Sequence, residues 1–159
     1  MSSPLDRTDR AILRLLQDDA QASFKQIASA VGLAPSTVYE RVRRLRASGV
    51  LRGVRADIDP AALGIGIQAM LLVELSLHRP ETYAGFRDHL SDHAEVLAWY
   101  EVAGRRDLFV HVGARDTAHL QRLVIETFTA RPEVHRVETT LIFDWQRAPV
   151  LPDLLGKEG

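Results

Sequence analysis

Between Phe24 and Arg44 the chain reads FKQIASAVGLAPSTVYERVRR, and no other stretch restricts its fold as strongly. Ala28, Gly32 and Val38 stand at offsets of four and six, the spacing of two short helices joined by a tight turn. A small residue at 28 lets the second helix cross closely over the first. Gly32 falls where the turn needs positive φ, which a side chain with a Cβ adopts only at a cost. Val38 then fills the angle between the helices. The stretch predicts a helix-turn-helix, and with it a chain that reads DNA.

The flanking residues extend this reading. A preceding helix is expected from Asp6, with Asp6 as cap, Asp9 three residues on and Leu5 in the staple position. Ile12, Leu13 and Leu16 give it an apolar stripe. Ser23 and Gln26 form a capping box for the next helix, whose buried face would be Ile27, Ala28 and Val31. Pro35 suits a first helical position, where its missing N–H is not needed. That third helix should end at Gly49. The alternation in VLRGVRADID around Gly53 predicts a small hairpin, completing a winged helix-turn-helix by residue 57.

Charge divides the chain at the same place. Residues 1–57 carry a net +4 and residues 58–159 a net −5, within a total of −1. A basic first third ahead of an acidic remainder suits a DNA-facing module joined to something else. The chain has 46% hydrophobic and 26% charged residues, which excludes a disordered polar chain. It has no cysteine, which excludes disulfides and thiolate chemistry. No apolar run spans a bilayer, and Met1-Ser2-Ser3-Pro4 does not open a signal peptide, so a cytoplasmic location is expected.

Beyond a hinge at 58–66 the pattern changes to strands alternating with helices. Strands are expected at 67–77, 95–103, 107–114 and 134–145, with helices at 80–92 and 116–130. The order β-α-β-β-α-β is that of a ferredoxin-like domain over 67–145, an antiparallel sheet with two helices on one face. The fold class is therefore α+β, and residues 146–159 form a tail.

On a wheel of about 100° per residue, Val38, Val42 and Leu45 share one side of the third helix. Ser36, Glu40, Arg43 and Ala47 lie opposite, flanked by Thr37, Tyr39 and Arg44. Ser36, Thr37 and Glu40 are placed to reach base edges, and Arg43 to read guanine or hold phosphate. Arg44, Arg46, Arg52 and Arg55 are better placed for phosphates, which position the protein without specifying sequence.

The opening LDRTDRAIL, the block ERVRRLRASGVLRG and Gly104-x-x-Asp107 within VAGRRDLFVHV together closely resemble the Lrp/AsnC (feast/famine) transcription regulators over roughly residues 5–145. The resemblance implies double-stranded DNA as partner and a homodimer built from C-terminal sheets, often assembled further into octamers. It also implies a small effector, usually an amino acid, bound between dimers near the Gly-x-x-Asp loop. Gly104, Arg105, Arg106, Asp107 and Thr139 are the effector candidates: backbone N–H groups for a carboxylate, Asp107 for an ammonium group, Thr139 for a hydroxyl contact. Many members carry an acidic residue after the glycine and an aromatic before the aspartate. Arg105 and Arg106 stand there instead, favouring an anionic effector or pairing with Glu101 and Asp107. Ala34 replaces the capping Ser common before Pro35, removing one cap.

Two other functions fit the pattern less well. Siroheme decarboxylases share the architecture and would use Tyr100 and His111 as acid and base on the strands LAWYEVAG and DLFVHVGA. An effector-sensing module without specific DNA binding is the other, and the basic third helix argues against it. His89 and His93, four apart on a helix, make half a metal site at most. Neither a cofactor nor catalysis is expected.

Overall fold

The computed structural model describes residues 5–146 and 150–155; Met1–Pro4 and much of the tail lie outside them. The chain divides into two compact units. The first holds the residues up to Ala56 together with the described residues from Gln146 onward, and the second holds Asp57–Trp145.

The first unit contains α1 (Arg7–Asp18), α2 (Phe24–Val31) and α3 (Pro35–Ala47). Each begins where the local chemistry dictates. The Asp6 carboxylate caps α1 by accepting the Asp9 N–H at 2.7 Å. Ser23 and Gln26 exchange side-chain and backbone bonds in a complete capping box. Pro35 opens α3, and Ala34 before it makes no side-chain cap. Gly32 ends α2 at φ +69°, the left-handed conformation that the turn requires. Ile12, Ile27, Ala28, Val38 and Val42 form the buried centre, with Leu15, Leu16, Phe24 and Leu51 packed around them. Residues 50–58 contain no strand, so the expected wing hairpin is not formed. Its two arms would be only a few residues each, around an Arg-Gly pair that is not a strong hairpin turn, and so short a ribbon is marginal alone. The described tail residues lie along α1: the Leu151 N–H bonds Gln17 Oε1 at 2.8 Å, and Asp153 pairs with Arg10.

The second unit is ferredoxin-like. A capped turn at Pro60–Leu63 leads into β1 (Ile67–Leu75), followed by α4 (Pro80–Ser91), β2 (Val96–Glu101), β3 (Leu108–Ala114), α5 (Thr117–Leu123) and β4 (Val134–Ile142). The sheet order is β2-β3-β1-β4, all antiparallel. Residues 58–66 contain this capped turn. Alternate residues of β1 (Ala69, Leu71, Val73 and Leu75) face the helices and are buried against Phe86, Leu90, Leu120, Leu123 and Phe128. Each fully buried Phe contributes about 1.5–3 kcal/mol. The helix expected over 116–130 is not uniform, because α5 widens into a π-helical stretch at Val124–Thr129. Leu123 and Phe128 are both buried and five residues apart, a step that an i→i+5 turn returns to one face. The wider turn brings Phe128 to within 6.2 Å of Phe86, centroid to centroid.

Candidate nucleic-acid interface

The outer side of α3 carries the residues expected to meet DNA. Val38, Val42 and Leu45 are buried, whereas Ser36, Thr37, Tyr39, Glu40, Arg43, Arg44 and Arg46 are exposed. Arg52 and Arg55 are exposed on the irregular segment that follows. Thr37, Glu40, Arg41, Arg43, Arg44 and Ala47 line a shallow concavity there. Tyr39 leans edge-on against Phe24, ring centroids 5.6 Å apart, which fixes the direction of its phenol. Glu40 and Arg43 pair one helical turn apart at 2.7 Å, but both are well exposed, so the pair is weak and free to open.

Two arginines of α3, Arg41 and Arg44, are less free. Arg41 Nη1 contacts Asp6 Oδ2 at 2.6 Å and Asp9 Oδ1 at 2.8 Å. Arg44 Nη2 reaches both oxygens of Asp9, at 3.0 and 2.8 Å. The Asp9 side chain is only 3% exposed, an anion taken out of water and compensated by two guanidiniums. The Arg41 hydrogen bond, with the Asp9 N–H, holds the Asp6 carboxyl below its ordinary pKa, and the same pairing raises that of Arg41. Sequence reasoning assigned Asp9 only to capping. The signal was present in the two aspartates of LDRTDRAIL and the arginines about 35 residues later, but only the fold joins them.

At the loop after β2, Gly104 has φ +155° and Arg105 is exposed. Arg106 turns inward: its Nη1 pairs with Glu74 at 2.7 Å, its Nη2 pairs with Glu138, and its buried Nε has no hydrogen-bond partner among the described residues. The alternative pairing of the loop arginines with Glu101 and Asp107 is therefore not the one formed. Glu101 stands 3.7 Å from Arg87 instead. Asp107 is also occupied. Its Oδ1 accepts from Tyr83 Oη at 2.6 Å, its Oδ2 accepts from the Leu75 N–H at 2.8 Å, and His78 Nε2 lies 3.0 Å away. The Asp107 hydrogen bond pushes the Tyr83 phenol up to about 12. Thr139 is exposed on β4, paired in register with Leu71 and therefore on the sheet side opposite to that of its neighbour Glu138, which Arg106 holds.

The sheet face away from the helices carries Met70, Leu72, Phe109, Tyr100 and Ile142, partly or fully exposed. His111 also lies there, 2.8 Å from Gln68 Oε1 and edge-on to Trp145, and burial lowers its pKa. Tyr100 pairs in register with Phe109, whereas His111 stands opposite Ala98. His89 is engaged through Nε2 with the Thr127 carbonyl at 2.8 Å and through Nδ1 with Arg131. Among the described residues, no group of three metal-ligating side chains forms around it.

Comparison with known proteins agrees with both units. Residues 5–46 match the AsnC-type helix-turn-helix domain, and residues 68–145 match the Lrp/AsnC ligand binding domain. The HTH-type transcriptional regulator AldR of Mycolicibacterium smegmatis is 43% identical over 90% of this chain and 84% of its own length. The crystal structure of MtbAldR superposes with a TM-score of 0.76 at 37% identity, over 93% of this chain and all of that one. A regulator from Neisseria meningitidis, solved as an L-Met complex, shares the fold with a TM-score of 0.85 at 23% identity, over 94% of this chain and 97% of that one. The chain therefore belongs to the Lrp/AsnC family of DNA-binding transcription regulators.

Proposed function

We propose that this regulator couples the level of an amino acid or related small acid to promoter occupancy. In this reading Ser36, Thr37, Glu40 and Arg43 meet base edges in the major groove. Tyr39, Arg44, Arg46, Arg52 and Arg55 fix the register on the phosphates. The observation that carries it is the division of α3, buried at Val38, Val42 and Leu45 and exposed at every one of those groove-facing positions. A second copy covers the apolar open face of the sheet, so that two helix-turn-helix units address a pseudo-palindromic site. Such dimers assemble further, as the family resemblance implies.

The effector docks at the loop Gly104–Asp107. Arg105 is the outward guanidinium for its carboxylate, and Thr139 offers a hydroxyl from β4. Arg106 and Asp107 act from behind, as braces that hold the loop to β1, β4 and α4. The L-Met bound in the Neisseria relative supports an amino-acid class of ligand. Effector binding changes DNA affinity only by as much as it distinguishes between two arrangements of the assembly. A gel shift on DNA upstream of the gene and its neighbour, against unrelated DNA and over a salt series, tests the reading. Preference for the upstream fragment, altered by one amino acid, is expected; equal affinity for all fragments, unaffected by any amino acid, contradicts it.

A further inference from the structure

We infer that Asp9 on α1 is a positioning residue for DNA binding, a buried carboxylate that aims the guanidinium of Arg44 at a phosphate. This rests on the reading above that Arg44 contacts the DNA backbone. The geometry of the pair is asymmetric. Both contacts to Asp9, at 3.0 and 2.8 Å, come from the single nitrogen Nη2 of Arg44. Among the described residues, Nη1 and Nε of Arg44 make no hydrogen bond, and the side chain is 56% exposed. Arginine is a planar fork with five donors, so one end is held by Asp9 while the other presents N–H groups toward solvent. A long side chain that would otherwise lose rotamer freedom on binding DNA is already ordered in the free protein.

Arg41 makes this arrangement possible. Its Nη1 bridges Asp6 and Asp9, and the side chain is 24% exposed against 56% for Arg44. Arg41 thus serves the fold, satisfying the buried carboxylate whether or not Arg44 is engaged elsewhere. Two arginines three apart in one basic run have different tasks, one inside the fold and one at its surface.

The test is a double-mutant cycle on the full-length protein, measuring affinity for an operator fragment and for random DNA over a salt series. Arg44→Ala is expected to weaken both and to reduce the slope of log K against log salt by about 0.9, the signature of one lost phosphate contact. Asp9→Asn makes the protein more positive by one charge, so charge alone would tighten binding. Positioning requires the opposite, a loss on both DNAs, and none beyond that of Arg44→Ala when the two are combined. Arg41 with Asp6 still ties α3 to α1 in both variants, and thermal melts establish that they fold. Should Asp9→Asn fail to fold, Arg44→Lys decides. It keeps the charge but offers one ammonium for two anions, and affinity is expected to fall on both DNAs. Wild-type affinity in Arg44→Ala overturns the phosphate contact itself. A loss in Arg44→Ala overturns only the role of Asp9 if Asp9→Asn binds as tightly as wild type or tighter, if its loss simply multiplies with that of Arg44→Ala, or if Arg44→Lys keeps full affinity.

Discussion

Tyr83 on α4 donates its phenol hydrogen to Asp107 at 2.6 Å, and this bond ties the loop after β2 to the helical layer of the second unit. The same carboxylate accepts the Leu75 N–H from β1. An aspartate of the Gly-x-x-Asp motif is thus part of the frame that gives the loop its shape. Tyr83→Phe should cost about 1 kcal/mol, read from denaturant unfolding. Spectrophotometric titration should show one phenol ionising near pH 12 that is absent in Tyr83→Phe. The raised value means the stabilisation is complete below about pH 10 and is lost as pH climbs through 12.

Acid should act on the other unit. The Asp6 carboxyl is held below its usual pKa of 3.8 by its bond to Arg41. Its contribution is present above that value and disappears as pH falls through the lower, folded one. In a melting series from pH 5 downward, Asp6→Asn should show a shallower loss of stability than wild type.

His111 gives a second pH dependence with the same sign by a different cause. Burial disfavours its charged form, so its contribution to stability should be constant above about pH 6.5 and decline below it. His111→Gln should flatten that decline in thermal melts.

Gly32 isolates a purely conformational cost. A Cβ there meets nothing within 4 Å, yet φ is +69°. Gly32→Ala should lower the unfolding free energy by about 1–2 kcal/mol, with an unchanged denaturant slope.

Much of this molecule was legible residue by residue. Ser23 with Gln26, Pro35 and Gly32 set helix ends through local chemistry. The stretch 67–77 read as a strand, and β1 forms within it. What escaped depends on partners far along the chain. Asp9 looked like a first-turn acid until α3 brought Arg41 and Arg44 to it, and Arg106 read as a contact for an anionic effector or a partner of Glu101 and Asp107 until Glu74 and Glu138 closed on it. The π-helical stretch was hidden for a related reason: the need to seat Phe128 against Phe86 arises only once both helices lie on the sheet. The wing failed differently, since alternation alone does not make a hairpin without a favourable turn and a surface to pack on.

The central claim is that the outer face of α3 reads DNA sequence, with Arg43 at its middle. The most direct measurement is the affinity of Arg43→Ala and wild type for an operator fragment and for random DNA at several salt concentrations. The expected result is a loss of about 1–3 kcal/mol confined to the operator, with the salt slope on random DNA unchanged. Equal affinity of the two proteins on the operator, or the same loss on both DNAs, would contradict base reading by Arg43.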